Sequence, residues 1–188
     1  MKTIILSLTL VSIFFVACNN DGSNKQASDS TATMGTADQE TTENKMPASE
    51  VLSSYLTLKN ALTNDNDKEA ATAATELVKA FKNMDKTALN AEQSQVYTDV
   101  EADAIEHAEH IAANAGNIVH QREHFETLSQ EVYELVKATG AGQKLYYTNC
   151  PMYNSNKGAN WLSETKEVKN PYLGQAMSTC GSVKEELN

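Results

Sequence analysis

The stretch that decides the fold is EHAEHIAANAGNIVHQREH, residues 106–124. Its centre, Asn114-Ala115-Gly116-Asn117, reads as a stop and a restart. Glycine suits the position just after a helix, and asparagine the cap just before one. Upstream, Val96, Val100, Ala104, His107 and Ile111 gather on one side of a helical wheel. Downstream, Ile118, Phe125, Leu128, Val132, Leu135 and Val136 do the same. The spacing therefore predicts two long helices joined by a tight turn, an antiparallel hairpin.

The same reading extends toward the N-terminus. Ser49 is the predicted cap of a first helix with Val51, Leu52, Tyr55, Leu56, Ala61 and Leu62 inward. Asn64-Asp65-Asn66-Asp67 breaks it, and a second helix follows with Ala70, Ala74, Leu77, Val78, Phe81 and Met84 on one face. Asn90 caps the third, and Gly140 and Gly142 end the fourth near Thr139. Four amphipathic helices with short connections predict an antiparallel four-helix bundle. The expected fold class is all-α, with a mostly irregular Cys/Met-containing tail, about residues 143–188, packed on the bundle. Within the tail, Leu145-Tyr146-Tyr147 reads as a short extended segment, and Asn170-Pro171 as the cap of a short helix running to Met177. Trp161 and Tyr172 are its expected anchors, since large aromatics are the main apolar surface such a segment can bury.

Residues 1–17 read as a signal peptide: a lysine at position 2, then an apolar and hydroxyl run. Phe15-Val16-Ala17-Cys18 resembles a bacterial lipobox, which makes Cys18 the predicted lipidated first residue. An ordinary secretory signal or an uncleaved anchor is the alternative. The resulting location is the periplasmic or cell-surface side of a membrane, held by the lipid anchor. Residues 19–47 hold Ser, Thr, Asn, Asp and Gly without apolar periodicity, so 18–47 read as a tether and 48–188 as one domain. As a coil such a tether spans roughly 30 Å. Removing residues 1–17 takes away Lys2 and moves the formal charge from −10 to −11. That balance excludes a nucleic-acid partner and mildly favours cations.

With Cys18 used by lipid, Cys150 and Cys180 are the remaining thiols. Each travels with a methionine, Cys150-x-Met152 and Met177-x-x-Cys180. Residues two apart share a face of a strand, and residues three apart share a face of a helical turn. A doubled-back chain thus brings four sulfurs together, and thiolate with thioether selects Cu(I) or Ag(I). Outside the cytoplasm the same two cysteines can instead form a disulfide. Closing that loop contributes roughly 3.5 kcal/mol in the chain-entropy model. Spacing leaves the two readings level.

All four histidines of the chain lie in the opening stretch. His107 and His110 are three apart, His120 and His124 four apart, on opposite arms of the hairpin. At about 1.5 Å rise per residue they fall within roughly 10 Å along the bundle. His107, on the apolar face, or His124, at the edge of the other helix's apolar face, can be a ligand beside the sulfurs or a hydrogen-bonded core residue; His110 and His120 read as more exposed. Enzyme motifs are missing: no Glu-x-x-His for a di-iron bundle, no Cys-x-x-Cys-His, no Gly-rich phosphate loop and no Gly-x-Ser-x-Gly.

QREHF-x-x-LS (121–129), CPM (150–152), KGANWLS (157–163), NPYLG (170–174) and M-x-x-CG (177–181) together resemble a bacterial domain of unknown function. That domain is found alone in lipoproteins and at the C-terminal end of periplasmic adaptor subunits of copper–silver efflux pumps. The resemblance implies a helical bundle, a soft-metal context and no catalytic residue. It favours Cys150, Met152, Met177 and Cys180 as the functional cluster, with His120 and His124 as secondary candidates. The expectation is a lipid-anchored Cu(I)/Ag(I)-binding protein that buffers or delivers metal beside an efflux pump, and not an enzyme. Its rival is a disulfide-stapled interaction domain docking on an efflux or envelope partner.

Overall fold

The computed structural model describes residues 46–188. The predicted signal peptide, Cys18 and nearly all of the predicted tether lie outside the described residues. Four long helices open the fold: α1 (Ser49–Thr63), α2 (Asp67–Lys82), α3 (Ala91–Ala113) and α4 (Ile118–Thr139). Each packs on the next, and α1 also meets α4. None of the described helices is long and apolar enough to cross a membrane.

The helix boundaries follow from capping chemistry. Asn66 Oδ1 accepts the Glu69 N–H at 3.1 Å. Asn90 and Gln93 form a reciprocal capping box, each side chain accepting the other's backbone N–H. Asn117 Oδ1 accepts from the His120 N–H, and Gly140 ends α4 at φ +87°. The first cap differs from expectation. Ser49 already lies inside α1; Ala48 stands at the cap without a side-chain bond. The turn forms through the backbone, Ser49 N–H donating to Met46 O.

The all-α expectation is overturned beyond Gly142. The tail forms a three-stranded antiparallel sheet of β1 (Leu145–Cys150), β2 (Ala159–Ser163) and β3 (Ser182–Leu187), in the order β2-β1-β3. A single turn, α5 (Tyr153–Asn156), joins β1 to β2, and a 3₁₀ turn over Gly174–Met177 precedes β3. The register pairs Cys150 with Ala159 and Asn149 with Ser182. Period-two patterning is weak here for physical reasons. A register shift between Tyr147 and Thr148 disrupts the alternation of β1. All six residues of β3 are exposed or half-buried, so no apolar run marks it. The predicted helix after Asn170-Pro171 shrinks to the 3₁₀ turn, but Asn170 Oδ1 does cap its approach, accepting from the N–H groups of Tyr172 and Leu173.

Sheet and bundle share one core. Trp161 and Tyr172 are buried, as their anchoring role requires. Tyr55 stacks on Phe125 with ring centroids 5.4 Å apart, Phe125 meets Tyr172 at 5.6 Å, and Tyr172 meets Trp161 edge-on at 5.9 Å. Two polar clamps lock the tail on. Tyr55 Oη lies 2.9 Å from Ser129 Oγ and accepts the Leu162 N–H at 3.1 Å. Arg122, on α4, donates to Pro171 O, Leu62 O and Asp65 Oδ1, joining α4, the α1–α2 loop and the tail.

Candidate functional site

Cys150 is the last residue of β1, where the strand runs into Pro151 and the α5 turn. Cys180 stands two residues before β3, which pairs with β1 on the side opposite β2. The sheet therefore returns Cys180 to Cys150 although thirty residues separate them. Their Sγ atoms are 2.8 Å apart, and both thiols are free. Cys150 is fully buried and Cys180 half-buried. Met152 and Met177 flank the pair in sequence with side chains 51% and 41% exposed, unusual for a residue that ordinarily fills cores.

The two thiols are electrostatically unlike. Burial pushes the Cys150 thiol up, but hydrogen bonds from Cys180, from the N–H groups of Met152 and Tyr153 and from the Asn170 side chain outweigh it, leaving Cys150 below the ordinary range. Cys180 is held above that range by its bond to Cys150 and by burial. Asn170 is itself buried and donates through Nδ2 to Cys180 O at 2.7 Å. The turn that delivers these donors has three consecutive non-glycine residues at positive φ: Asn154, Ser155 and Asn156, at +50°, +56° and +66°. Such a run costs energy at each residue and needs support from its surroundings. Asn154 Nδ2 donates to the Glu126 carboxylate on α4, and Tyr153 stacks on Tyr172 at 4.5 Å.

The histidines gather separately, on the hairpin. Gln121 Nε2 donates to Asp67 O and Ile111 O, and Gly116 N–H donates to Asp67 Oδ2, which fixes the α3–α4 turn against α2. Across that turn His107 Nδ1 meets His124 Nδ1 at 2.9 Å, and His124 Nε2 meets His120 Nε2 at 3.2 Å. The ring of His110 lies flat over that of His124, centroids 4.3 Å apart and 5° from parallel. The ligand atoms of His110, His120 and His124 lie within 4.8 Å of one another, and no cysteine belongs to that group. Burial and the neighbouring His110, His120 and His107 pull His124 below the usual histidine range. The structure thus brings His120 and His124 together with His110 rather than with the sulfurs. His110 went without a role in the sequence, although its spacing from His107 and its level with His120 were the available signals.

Fold and sites together define a class of protein: a four-helix bundle with a C-terminal sheet, carrying a partly buried thiol pair and an imidazole cluster. Within it, the chain belongs to the family described as a protein of unknown function, DUF3347, which matches over residues 51–144. That span takes in nearly all of α1–α4 and stops just before β1, so the thiol-bearing sheet lies beyond it. No curated protein and no solved structure matches the chain.

Proposed function

We propose that this domain binds one soft monovalent metal ion, Cu(I) or Ag(I), through Cys150 and Cys180, with Met152 and Met177 as thioether neighbours. The observation that carries the reading is the 2.8 Å approach of the two sulfurs at the end of β1. A low-lying Cys150 thiol supplies the thiolate such an ion needs, and its N–H donors offset the negative charge of the ligand. With metal–sulfur bonds near 2.3 Å, two sulfurs across an ion stand roughly 4 Å apart. Binding therefore requires Cys180 to swing outward, and its partial exposure leaves it room. The setting we propose is an extracytoplasmic membrane surface, the domain tethered through lipid on Cys18 and buffering or delivering metal for heavy-metal efflux components. The lipobox-like sequence and the family resemblance support that setting.

A second reading has its own observation. The sulfurs stand less than 1 Å beyond the covalent distance of about 2.05 Å. Oxidation would turn the site into a staple and the domain into a structural or docking module.

The deciding experiment is a Cu(I) titration of the reduced chain against a competing chelator. One ion per chain is expected in the parent, with a loss of at least a hundredfold in affinity in Cys180→Ser. Cys180 is the better target because Cys150 is fully buried. Equal affinity in parent and variant under reducing conditions would remove the thiol-site reading. A pair that resists mild reductant would favour the staple.

A further inference from the structure

We propose that His110, His120 and His124 form a second, separate metal site, one that takes a divalent ion of borderline softness such as Zn(II) or Cu(II). Three imidazoles from two helices bring ligand atoms within 4.8 Å of one another on the hairpin, and imidazole is the donor those ions favour.

Two of the three ligands are already spaced for such an ion. Two nitrogens each 2.0–2.1 Å from a tetrahedral ion stand about 3.3 Å apart. His120 Nε2 and His124 Nε2 stand 3.2 Å apart. The third ligand, His110, is 48% exposed on its side chain and has the freedom to turn its ring edge toward that midpoint. An open fourth position remains for water.

The outer nitrogens are already engaged, which is the usual arrangement around a metal-bound histidine. His120 Nδ1 lies 3.1 Å from Glu123 Oε2. An ionised carboxylate only accepts, so the proton is on Nδ1 and the lone pair of His120 Nε2 points inward. His124 Nδ1 has His107 Nδ1 at 2.9 Å as its partner. When His124 donates there, its Nε2 also turns a bare lone pair inward. The two lone pairs, 3.2 Å apart, then face the place a metal ion would take. This gives His107, outside the ligand group, a purpose: it orients His124. Glu106, 3.9 Å from His110 Nε2, adds negative charge at the rim.

The site is independent of the thiol pair, and the test separates them. The full chain is titrated with Co(II), whose visible spectrum reports its ligands. One equivalent should bind with the d–d bands of a nitrogen-ligated ion and no thiolate-to-cobalt charge-transfer band. Zn(II) added afterwards should bleach the spectrum. His124→Gln should weaken binding at least a hundredfold, and Glu123→Gln, whose side chain is 62% exposed, about tenfold. Cys180→Ser should leave the spectrum and affinity unchanged. Because Glu123 is exposed, its variant carries the test even if His124→Gln alters the fold. The proposal is overturned by an absence of binding, by a charge-transfer band that Cys180→Ser abolishes, or by equal affinity in the parent and Glu123→Gln.

Discussion

Cys150 and Cys180 meet at the end of two paired strands rather than along a turn. Residue 150 ends β1, residue 180 leads into β3, and their sulfurs are 2.8 Å apart. Two-electron oxidation needs only a small side-chain movement. Diamide should therefore convert the pair to an intramolecular disulfide, each thiol giving up one hydrogen to the reagent. The product should lose 2 Da, melt at a higher temperature and no longer bind Cu(I). The loop closed holds about thirty residues, for which the entropic model gives roughly 3.5 kcal/mol before strain. Intermolecular dimers in place of the 2 Da loss would count against the geometry.

Gly174 should not tolerate alanine. Its φ is +53°, and a Cβ there would overlap Asp65 Oδ1 and Arg122 Nη2. Left-handed backbone and a broken Arg122–Asp65 contact together should cost about 2–3 kcal/mol. Urea denaturation measures this directly, and a midpoint within error of the parent would refute it. The glycine of the NPYLG motif thus acts through packing: it lets the tail close over the buried guanidinium of Arg122.

Lys59 is 1% exposed and donates to Glu164 Oε2 at 2.7 Å and Asn60 Oδ1 at 2.7 Å. Burial lowers the Lys59 ammonium from its usual range. For Glu164, burial raises the carboxyl, but hydrogen bonds from Lys59 and Asn60 win and leave it below the ordinary value. A carboxyl depressed on folding stabilises above its unfolded value, near 4.3, and that contribution disappears as pH falls through the folded value. Stability should therefore drop on acidification below about pH 4.3, and Glu164→Gln should flatten that part of the curve. The same variant leaves a buried ammonium without its carboxylate at every higher pH. Partial exposure of Glu164 puts the cost at about 2 kcal/mol, under the range for fully buried pairs. Lys59→Met should cost much less, since it removes the charge along with the need for a partner. Equal losses in the two variants would contradict this assignment.

How far the sequence carried depends on the period of each segment. The hairpin was legible because helical spacing and an Asn-Ala-Gly-Asn turn agree over residues 96–136. Tyr97 shows the limit: it is buried with its hydroxyl donating to Phe81 O and Glu101, but a tyrosine beside Val96 carries no periodic signal of its own. The sheet was nearly invisible. Its strands are five or six residues long, one is shifted in register, and one is an edge strand of Val, Lys, Glu and Leu with no buried face. Long-range pairing is what makes them strands. Both cysteines were legible as a pair from composition alone. What placed them together was β1–β3 pairing, a contact no local pattern encodes. Arg122 and Gln121 sat in a quoted motif without a role, because their partners are backbone carbonyls far away in sequence.

The last prediction concerns how the sheet is held to the bundle. Tyr55 is fully buried on α1, and its hydroxyl joins that side chain to two other elements. It accepts the Leu162 N–H of β2 at 3.1 Å and lies 2.9 Å from Ser129 Oγ of α4. Tyr55→Phe keeps the ring stacked on Phe125 and fills the same space. The loss is therefore polar: a buried N–H and a buried hydroxyl each lose their partner. An orphaned buried group costs about 1–3 kcal/mol, and Ser129 can turn back to a helix carbonyl, so the total should be about 2 kcal/mol. Helix content by circular dichroism should not change. The amide of Leu162 should exchange with solvent deuterium much faster than in the parent. β2 pairs with β1 up to Cys150↔Ala159, so loosening should reach the thiol pair and make Cys150 more reactive toward alkylating reagents. Unchanged exchange at Leu162 would mean that β2 is held by apolar packing alone, and that the tyrosine hydroxyl has no part in seating the sheet.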